Sequence, residues 1–273
     1  MADGLLVRTV HRSPGDVLCN CRIKVYPDGT IGEILACSLA KFTPPGWERE
    51  DKQQRVSCGS ADIVATERAR RRARQHVNDL IRCNGDLDVF FTLTLAPGWL
   101  YGGQAQSRTD YAAVNRKVQQ WFGDRVRRHG LRYVAVYEYH HQTERDGKQA
   151  IHVHGVCNHD ALRMTDSGHK YKDKGGHWHK VYNVPDWSLG ITTAMYLYGD
   201  RARATAYICK YIYKSERPVG GRWYMHSHNL SEPQYEYCDV DYAAAPGKSI
   251  YIPDARCSYK YIDPRDIDRL GVM

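Results

Sequence analysis

The chain has 273 residues, of which 42% are hydrophobic and 26% are charged, a composition typical of an ordinary globular protein. No apolar run approaches the roughly 18 residues that cross a bilayer, and the first residues form no signal-peptide pattern, so we expect a cytoplasmic protein without a membrane partner. The formal charge of +8 indicates a polyanionic partner, for which nucleic acid is the first candidate.

The nine cysteines argue against a zinc framework. Only Cys19 and Cys21 lie close together, and the repeated C-x-x-C pairs of structural zinc sites do not occur. We therefore expect reduced thiols, several of them in the core.

The first predicted elements are a hairpin and a basic helix. Residues 17–40 alternate around the turn signal Pro27-Asp28-Gly29, which predicts a β-hairpin. Residues 60–82 repeat apolar side chains every three or four positions, which predicts a helix that Asn84-Gly85 closes. The candidate DNA-binding side chains on this helix are Arg68, Arg70, Arg71 and Arg74. Such a charge run is also typical of a solvated helix face.

The remaining elements predict the fold class and three regions. Strands are expected at 88–98, 132–140, 149–157 and 191–198, helices at 110–129 and 201–215, and a polar insert at 159–180. This order predicts an α+β fold, in which a central antiparallel sheet carries helices on one face. We expect a β-rich N-terminal extension over 1–58, a main domain over 59–217, and an irregular C-terminal extension over 218–273 that packs on it.

The stretch "QAIHVHGVCN" over 149–158 contains a candidate metal site. In a strand, His152 and His154 share one face. If the turn between strands is centred near Asp146, Glu138 lies opposite His154 and His140 opposite His152. Glu138, His152 and His154 then form a three-ligand site with open positions, for which His140 and His141 are alternative third ligands. This donor set suits Mn²⁺ better than Mg²⁺, although Mg²⁺ can also serve, and the alternative is a histidine pair that faces solvent.

The helix "ARATAYICKYIYKSE" contains a candidate nucleophile. Tyr207 and Tyr211 lie one turn apart, and each precedes a lysine, Lys210 or Lys214, by three residues. A tyrosine beside a metal-polarised phosphate and a lysine can attack phosphorus and form a phosphotyrosine. Tyr211 lies nearer the apolar stripe, so Tyr207 is our first choice of nucleophile. The alternative is two half-buried aromatic residues at helical spacing. Arg203 of this helix is a further candidate DNA-binding residue.

Three segments in this order resemble the motifs of the HUH endonucleases: "FFTLTLAP", "IHVHGV" and "YICKYIYK". More closely, the chain resembles rolling-circle replication initiators of single-stranded DNA phages and related plasmids, and "LIRCNGDLDVFFTLTL" is similar to the gene II-type initiators of filamentous phages. "RWYMHSHNLSEP" resembles the stretch that often follows the third motif. The likeness spans roughly 60–233.

The resemblance implies a metal-dependent endonuclease domain over 59–217 with a core related to the RNA-recognition and ferredoxin-like folds. It implies His152 and His154 as metal ligands, with Glu138 as the third, and Tyr207 or Tyr211 as nucleophile. The implied reaction is site-specific nicking of single-stranded DNA, with strand transfer through a 5′-phosphotyrosine and a free 3′ hydroxyl that primes replication. The implied partners are single-stranded or hairpin origin DNA and the helicase, polymerase and single-strand-binding protein of a bacterial host.

Other interpretations stay open at this point. The insert residues 166–180 could be a DNA-contacting loop or a local metal site of His169, His177 and His179, and a solvated loop is favoured over both. Within the same chemistry, the chain could be an HUH transposase or a small relaxase. From another class, it could be a non-catalytic module that binds single-stranded DNA or RNA with stacking tyrosines, without metal or covalent adduct.

Overall fold

A computed structural model describes residues 18–43, 63–101, 104–144, 147–173, 175–198, 201–214 and 218–269. The helices are α1 (Ile63–Cys83), α2 (Tyr111–His129) and α3 (Arg201–Lys214). The strands are β1 (Cys21–Val25), β2 (Ile31–Cys37), β3 (Leu87–Leu93), β4 (Leu100–Tyr101), β5 (Gln104–Ala105), β6 (Tyr133–Thr143), β7 (Gln149–Asn158), β8 (Thr165–Lys172), β9 (Trp178–Asn183), β10 (Thr192–Tyr196), β11 (Met225–His226), β12 (Gln234–Cys238), β13 (Ser249–Ile252) and β14 (Cys257–Ile262).

The main sheet confirms the predicted α+β class with a central antiparallel sheet. In the part of the chain that the structure describes, its strand order is β11-β6-β7-β3-β10-β9-β8, with antiparallel neighbours throughout. The histidine strand β7 therefore lies in the interior of the sheet, between β6 and β3.

Helices pack on both faces of this sheet, so the expectation of one helical face is wrong. Alternate residues of β3, β6 and β7, such as Phe91 and Val153, pack with the buried stripe of α2. The intervening residues, such as Phe90 and Val136, pack with α1 and α3. Strands that are buried along both faces need a layer on each side, and the almost continuous burial of β3 shows this pattern.

The boundaries of α2 follow from its end residues. Asp110 caps the first turn, because its carboxylate accepts the backbone N–H groups of Ala112 and Ala113. Gly130 ends the helix in the left-handed conformation, with φ 68°. The predicted helix over 110–129 is thus confirmed almost to the residue.

Gly155 explains why a glycine follows the histidine pair. A Cβ at this position would collide with the ring of Phe91 and approach the carbonyl oxygen of Val134 to 2.9 Å. Glycine therefore lets the aromatic ring lie across β7 on the α2 face, while His154 occupies the other face.

The polar insert forms a hairpin, so the interpretation as a solvated loop is wrong. Strands β8 and β9 pair with each other, and β9 pairs with β10, so the hairpin extends the main sheet. Most of its side chains are exposed, which leaves no apolar alternation in the sequence that would predict strands.

A second sheet contains the predicted N-terminal hairpin, β1–β2, in the order β12-β1-β2-β14-β13. The prediction that 218–273 is irregular is therefore wrong, because residues 234–238, 249–252 and 257–262 are strands of this sheet. By internal contacts the chain divides into two compact units, residues 59–231 and residues 1–58 with 232–273. None of the described helices has the length and apolar character needed to cross a membrane.

Candidate active site

The strand pair β6–β7 brings the predicted metal ligands to one face, in a register that differs from the expected one. Glu138 lies opposite His152, and Val136 lies opposite His154. An irregularity between Tyr139 and Thr143 shifts the pairing by two residues relative to a regular turn. Because side chains alternate with a period of two, this shift leaves Glu138 and both histidines on the same face.

His154 is the most strongly positioned member of the site. It is 7% exposed, and its Nδ1 lies 3.0 Å from the hydroxyl oxygen of Thr92, directly across from it on β3. Its Nε2 lies 2.9 Å from Oε2 of Glu138, yet this buried nitrogen makes no aligned hydrogen bond with any described residue. In the tautomer whose Nδ1–H donates to Thr92, the lone pair lies on Nε2, and this is the form that binds a metal.

Glu138 is held in its charged form. Burial works to raise the pKa of Glu138, but contact with the His154 imidazole, together with the charges of Lys214 and His141, lowers it below the ordinary value. A carboxylate that stays ionised next to an imidazole nitrogen is a suitable pair of donors for Mn²⁺ or Mg²⁺.

His152 is held in its neutral form. Burial, reinforced by neighbouring His140 and His154, lowers its pKa to about 4. At neutral pH its imidazole therefore carries a free lone pair. Its ring centre lies 6.3 Å from that of His154 and 4.7 Å from that of His140, so His140 stays near enough to serve as an alternative ligand.

The chemical types of these donors suit a divalent cation, but the three side chains do not converge on one point. Two imidazoles and one carboxylate share a face, and one buried ring nitrogen has no aligned partner among the described residues. Within the described ranges, however, no three His, Cys, Asp or Glu side chains converge on one point. Of the three, Glu138 and His154 approach each other to 2.9 Å, while the ring centre of His152 lies 6.3 Å from that of His154.

Tyr207 and Tyr211 of α3 both face this site, but with different exposure. Tyr211 is 6% exposed and its ring lies parallel to that of His154, with centroids 4.2 Å apart. Tyr207 is 38% exposed and packs edge-on against Phe90 at 4.4 Å. Burial is the main cause that raises the pKa of Tyr211 well above its ordinary range, and a hydrogen bond with Tyr207 raises it further. Ionisation of Tyr211 is therefore disfavoured by its burial, and Tyr207 is the more exposed of the two side chains.

The two lysines place positive charge near different members of the site. Nζ of Lys210 lies 5.5 Å from the ring centre of Tyr207 and 5.9 Å from that of Tyr211. Lys214 is exposed and acts electrostatically on Glu138. A phosphate held near Tyr207 would thus have a cationic neighbour on the same helix.

The arginines of α1 divide into two groups. Arg70 pairs with Glu67, donates to the carbonyl oxygen of Tyr213 at 3.3 Å, and lies over the Tyr213 ring, as does Arg74. These two side chains therefore help to hold α1 against α3. Arg68 and Arg71 are exposed. Arg203 lies within α3, and its side chain is outside the described part of the structure.

The histidines of the insert do not form a cluster of their own. His179 and His177 both approach Asp173, at 3.0 and 3.6 Å, while His169 is exposed on β8. The residues that the structure describes contain no three-ligand group here either. The pair of Asp173 and His179 instead lines a cavity that also contains Tyr207.

Sequence reasoning missed three residues of this region. They are Thr92, which is the partner of His154, Phe90, whose ring lies near those of His154 and Tyr207, and Asp173 in the cavity. The period-two alternation of β3 would have found the first two, since Phe90 and Thr92 share the face that the histidines share on β7. Asp173 has no such signal, because it lies outside the strands of its hairpin.

A protein-family model matches the central part of the chain. Residues 88–216, a little under half of the sequence, match the family model of replication-associated proteins of the ORF2 and gene II protein type. The matched segment runs from β3 to the end of α3, so it contains the histidine pair and both tyrosines. No curated protein and no solved structure gives a significant match. The family match confirms the resemblance to phage and plasmid replication proteins.

Proposed function

We propose that this chain, whose residues 88–216 match a replication-associated protein family, initiates rolling-circle DNA replication by nicking single-stranded origin DNA. The proposed product is a covalent bond between a tyrosine of α3 and the 5′ phosphate of the cut strand, with a free 3′ hydroxyl on the other side.

The observation that carries this proposal is the contact between α3 and the histidine strand. Tyr211 stacks on His154, and Tyr207 lies one helical turn away with its ring 5.3 Å from that of Tyr211. The Tyr207 hydroxyl, two imidazoles and a carboxylate therefore lie on the same face of the sheet, where the hydroxyl can reach a bound phosphate. This is the set of groups that metal-assisted attack by tyrosine requires.

Tyr207 is the proposed nucleophile because its side chain is accessible. Its phenolic oxygen attacks the scissile phosphorus and forms the new P–O bond, while the bond to the 3′ oxygen breaks. The tyrosine proton leaves to solvent, and the departing oxygen gains a proton to become the 3′ hydroxyl. Tyr211 is buried, and its ring contacts those of His154 and Tyr207, so its proposed role is to orient these two side chains.

Glu138, His152 and His154 are the residues that would hold the cation. A bound Mn²⁺ or Mg²⁺ would supply Lewis-acid polarisation of the scissile phosphate. Thr92 fixes the His154 ring, and the lowered pKa values of Glu138 and His152 keep both groups in their ligand forms at neutral pH.

Positive side chains have two proposed tasks. Lys210, which lies over the Tyr207 ring, offsets the charge that builds on the phosphate oxygens as the nucleophile attacks. The exposed Arg68 and Arg71 bind the DNA backbone without reading its sequence.

These observations favour replication initiation over the two alternative functions. A transposase or small relaxase would use the same chemistry, but the family match is to replication-associated proteins, which favours replication initiation. A non-catalytic binding module would have no use for a buried imidazole nitrogen next to a charged carboxylate, and it predicts no covalent adduct.

The test uses the full chain, Mn²⁺ and a library of single-stranded oligonucleotides that carry a label at the 3′ end. A 5′-phosphotyrosine retains the downstream fragment, so the 3′ label should migrate with the protein on a denaturing gel. A matched library labelled at the 5′ end should leave the protein unlabelled.

The variants make this test specific. Tyr207→Phe should abolish the labelled band, and Tyr211→Phe, which keeps the ring on His154, should retain it. The double variant His152→Ala and His154→Ala should give no band. Absence of a band from the unaltered chain would refute the nickase proposal, and a band lost only in Tyr211→Phe would transfer the nucleophile to Tyr211.

A further inference from the structure

The aromatic cavity beside Tyr207 is large enough for a small organic ligand. Its volume is about 360 Å³, which is within the range of about 300–1,000 Å³ typical of ligand pockets. Phe90, Met195 and Leu197 provide apolar wall, and Asp173 and His179 provide the polar groups. An apolar pocket with a few fixed polar groups is the usual form of a specific binding site.

The rings around this cavity are unusually exposed. Tyr171 is 44% exposed, Tyr198 is 67% exposed and Tyr207 is 38% exposed. Exposed rings that lie around one cavity offer stacking surfaces to a planar ligand. Every nucleobase has such a planar face, and stacking of a base on a protein ring is tolerant of sequence.

Tyr198 is held in a conformation that a tyrosine rarely adopts. Its φ is 50°, in the left-handed region, where a bulky side chain is strained. The ring is nevertheless kept at the cavity, 5.3 Å from the ring of His179. Strained residues tend to be retained at binding sites, because the surrounding structure has a use for their position.

The polar end of the cavity contains a hydrogen-bond acceptor, the carboxylate of Asp173. One oxygen of Asp173 lies 3.0 Å from Nε2 of His179, and the other accepts the backbone N–H of His177 at 2.9 Å. The hydrogen bond from His179 and the backbone N–H of His177 lower the pKa of Asp173 far below its ordinary value. A fixed, charged carboxylate at this position can accept from the exocyclic amino group of a base, as acidic side chains do with cytosine.

The cavity is continuous with the proposed site of chemistry. Phe90 lines it, and the Phe90 ring lies nearly parallel to that of His154 at 6.2 Å, with Tyr207 edge-on against it. A nucleotide whose phosphate reaches Tyr207 would therefore carry its base toward this cavity.

We propose that the cavity formed by Tyr171, Asp173, His179, Tyr198 and Tyr207 binds one unstacked nucleobase that bears an amino group, next to the phosphate at Tyr207. This inference rests on the proposed function for the orientation of the strand. It adds a base-reading site, in which the rings supply affinity and Asp173 supplies the preference for amino-bearing bases over thymine.

The experiment measures binding without cleavage, with EDTA present and in a Tyr207→Phe background that keeps the ring. The probe is a single-stranded oligothymidylate with one central 2-aminopurine, whose fluorescence changes when it stacks on a ring. The purine is the probe's amino-bearing base, and plain oligothymidylate serves as the competitor.

We expect the probe to bind with a fluorescence change and at least tenfold more tightly than the competitor, and Tyr198→Gly to abolish the change and lower affinity about tenfold. Glycine is favoured at positive φ, so this variant should be no less stable, and a loss of binding would not reflect unfolding. Asp173→Ala should weaken the preference for the probe over the competitor while retaining the fluorescence change. Tyr251→Ala, which removes an exposed ring from β13, is the matched control and should change nothing.

The outcomes separate this inference from the proposed function. An unchanged signal in Tyr198→Gly, or equal affinity for probe and competitor, would overturn the base-binding site. A Tyr198-dependent signal from a chain that forms no covalent adduct would uphold the base site and refute the nickase. A covalent adduct without that signal would refute the base site and uphold the nickase.

Discussion

The two faces of β7 show how one strand can serve both stability and chemistry. Ile151 and Val153 point toward α2 and are fully buried among apolar side chains. His152 and His154 point the other way, and the neighbours of His154 there are the Glu138 carboxylate and the ring of Tyr211 on α3. The strand is held in the sheet mainly by its apolar face. The other face is therefore able to carry polar groups that would be costly without such support.

This contrast predicts that changes on the two faces affect different measurements. Substitutions on the histidine face should remove activity at little cost in stability. Substitutions on the α2 face should lower stability and leave the activity of each folded molecule unchanged.

The largest effect is expected from His154→Ala. Loss of this imidazole removes a ligand and the stacking partner of Tyr211, so covalent DNA attachment should fall below detection on a denaturing gel. The circular dichroism spectrum should stay that of the unaltered chain. His169→Ala, which removes an exposed histidine from β8, is the matched control and should keep full activity. Activity in His154→Ala would contradict the role of the histidine face.

The next largest effect is expected from Ile151→Ala on the opposite face. Removing this fully buried side chain leaves a cavity and should lower the free energy of unfolding by about 2–5 kcal/mol. Chemical denaturation gives this value. The amount of adduct per folded molecule should match that of the unaltered chain, and a selective loss of adduct would show that the faces are not separate.

Much of this arrangement was predictable, and the exceptions have physical reasons. Period-two and period-3.6 patterns predicted the shared face of His152 and His154 and the bounds of α2, because burial on one side forces those periods. The register of Glu138 was wrong by two residues, because an irregularity in β6 depends on packing that the local sequence does not encode. The hairpin β8–β9 is exposed and mostly polar, so its apolar pattern is too weak to predict strands.

A smaller effect is expected from Thr92→Val, which keeps the shape of the side chain and removes the hydroxyl beside His154. Outer partners of a metal-binding histidine typically contribute 10–100-fold in metal affinity, and we expect a loss of about that size for Mn²⁺. Titration calorimetry measures it. Thr92→Ser retains a hydroxyl and should restore binding, which a purely structural role for Thr92 would not predict.

The smallest effect is expected in the pH dependence of stability. The pKa of His152 is about 4 when folded and near 6.5 when unfolded, so the unfolded chain binds an additional proton between these values. The contribution of neutral His152 to the free energy of unfolding is present above pH 6.5 and is lost as pH falls toward 4. Without metal, the Tm of the unaltered chain should fall between pH 7 and pH 5 by roughly 2–4 °C more than that of His152→Gln. Equal slopes would show that His152 titrates normally.

The central claim is that Tyr207 forms the bond to DNA, and peptide mass spectrometry of the adduct tests it most directly. Trypsin cuts after Lys210 and so separates Tyr207, in the peptide over 204–210, from Tyr211 and Tyr213, in the peptide over 211–214. After nuclease digestion of the adduct, we predict a nucleotide mass on the peptide over 204–210. The same mass on the peptide over 211–214, or on neither peptide, would contradict the account.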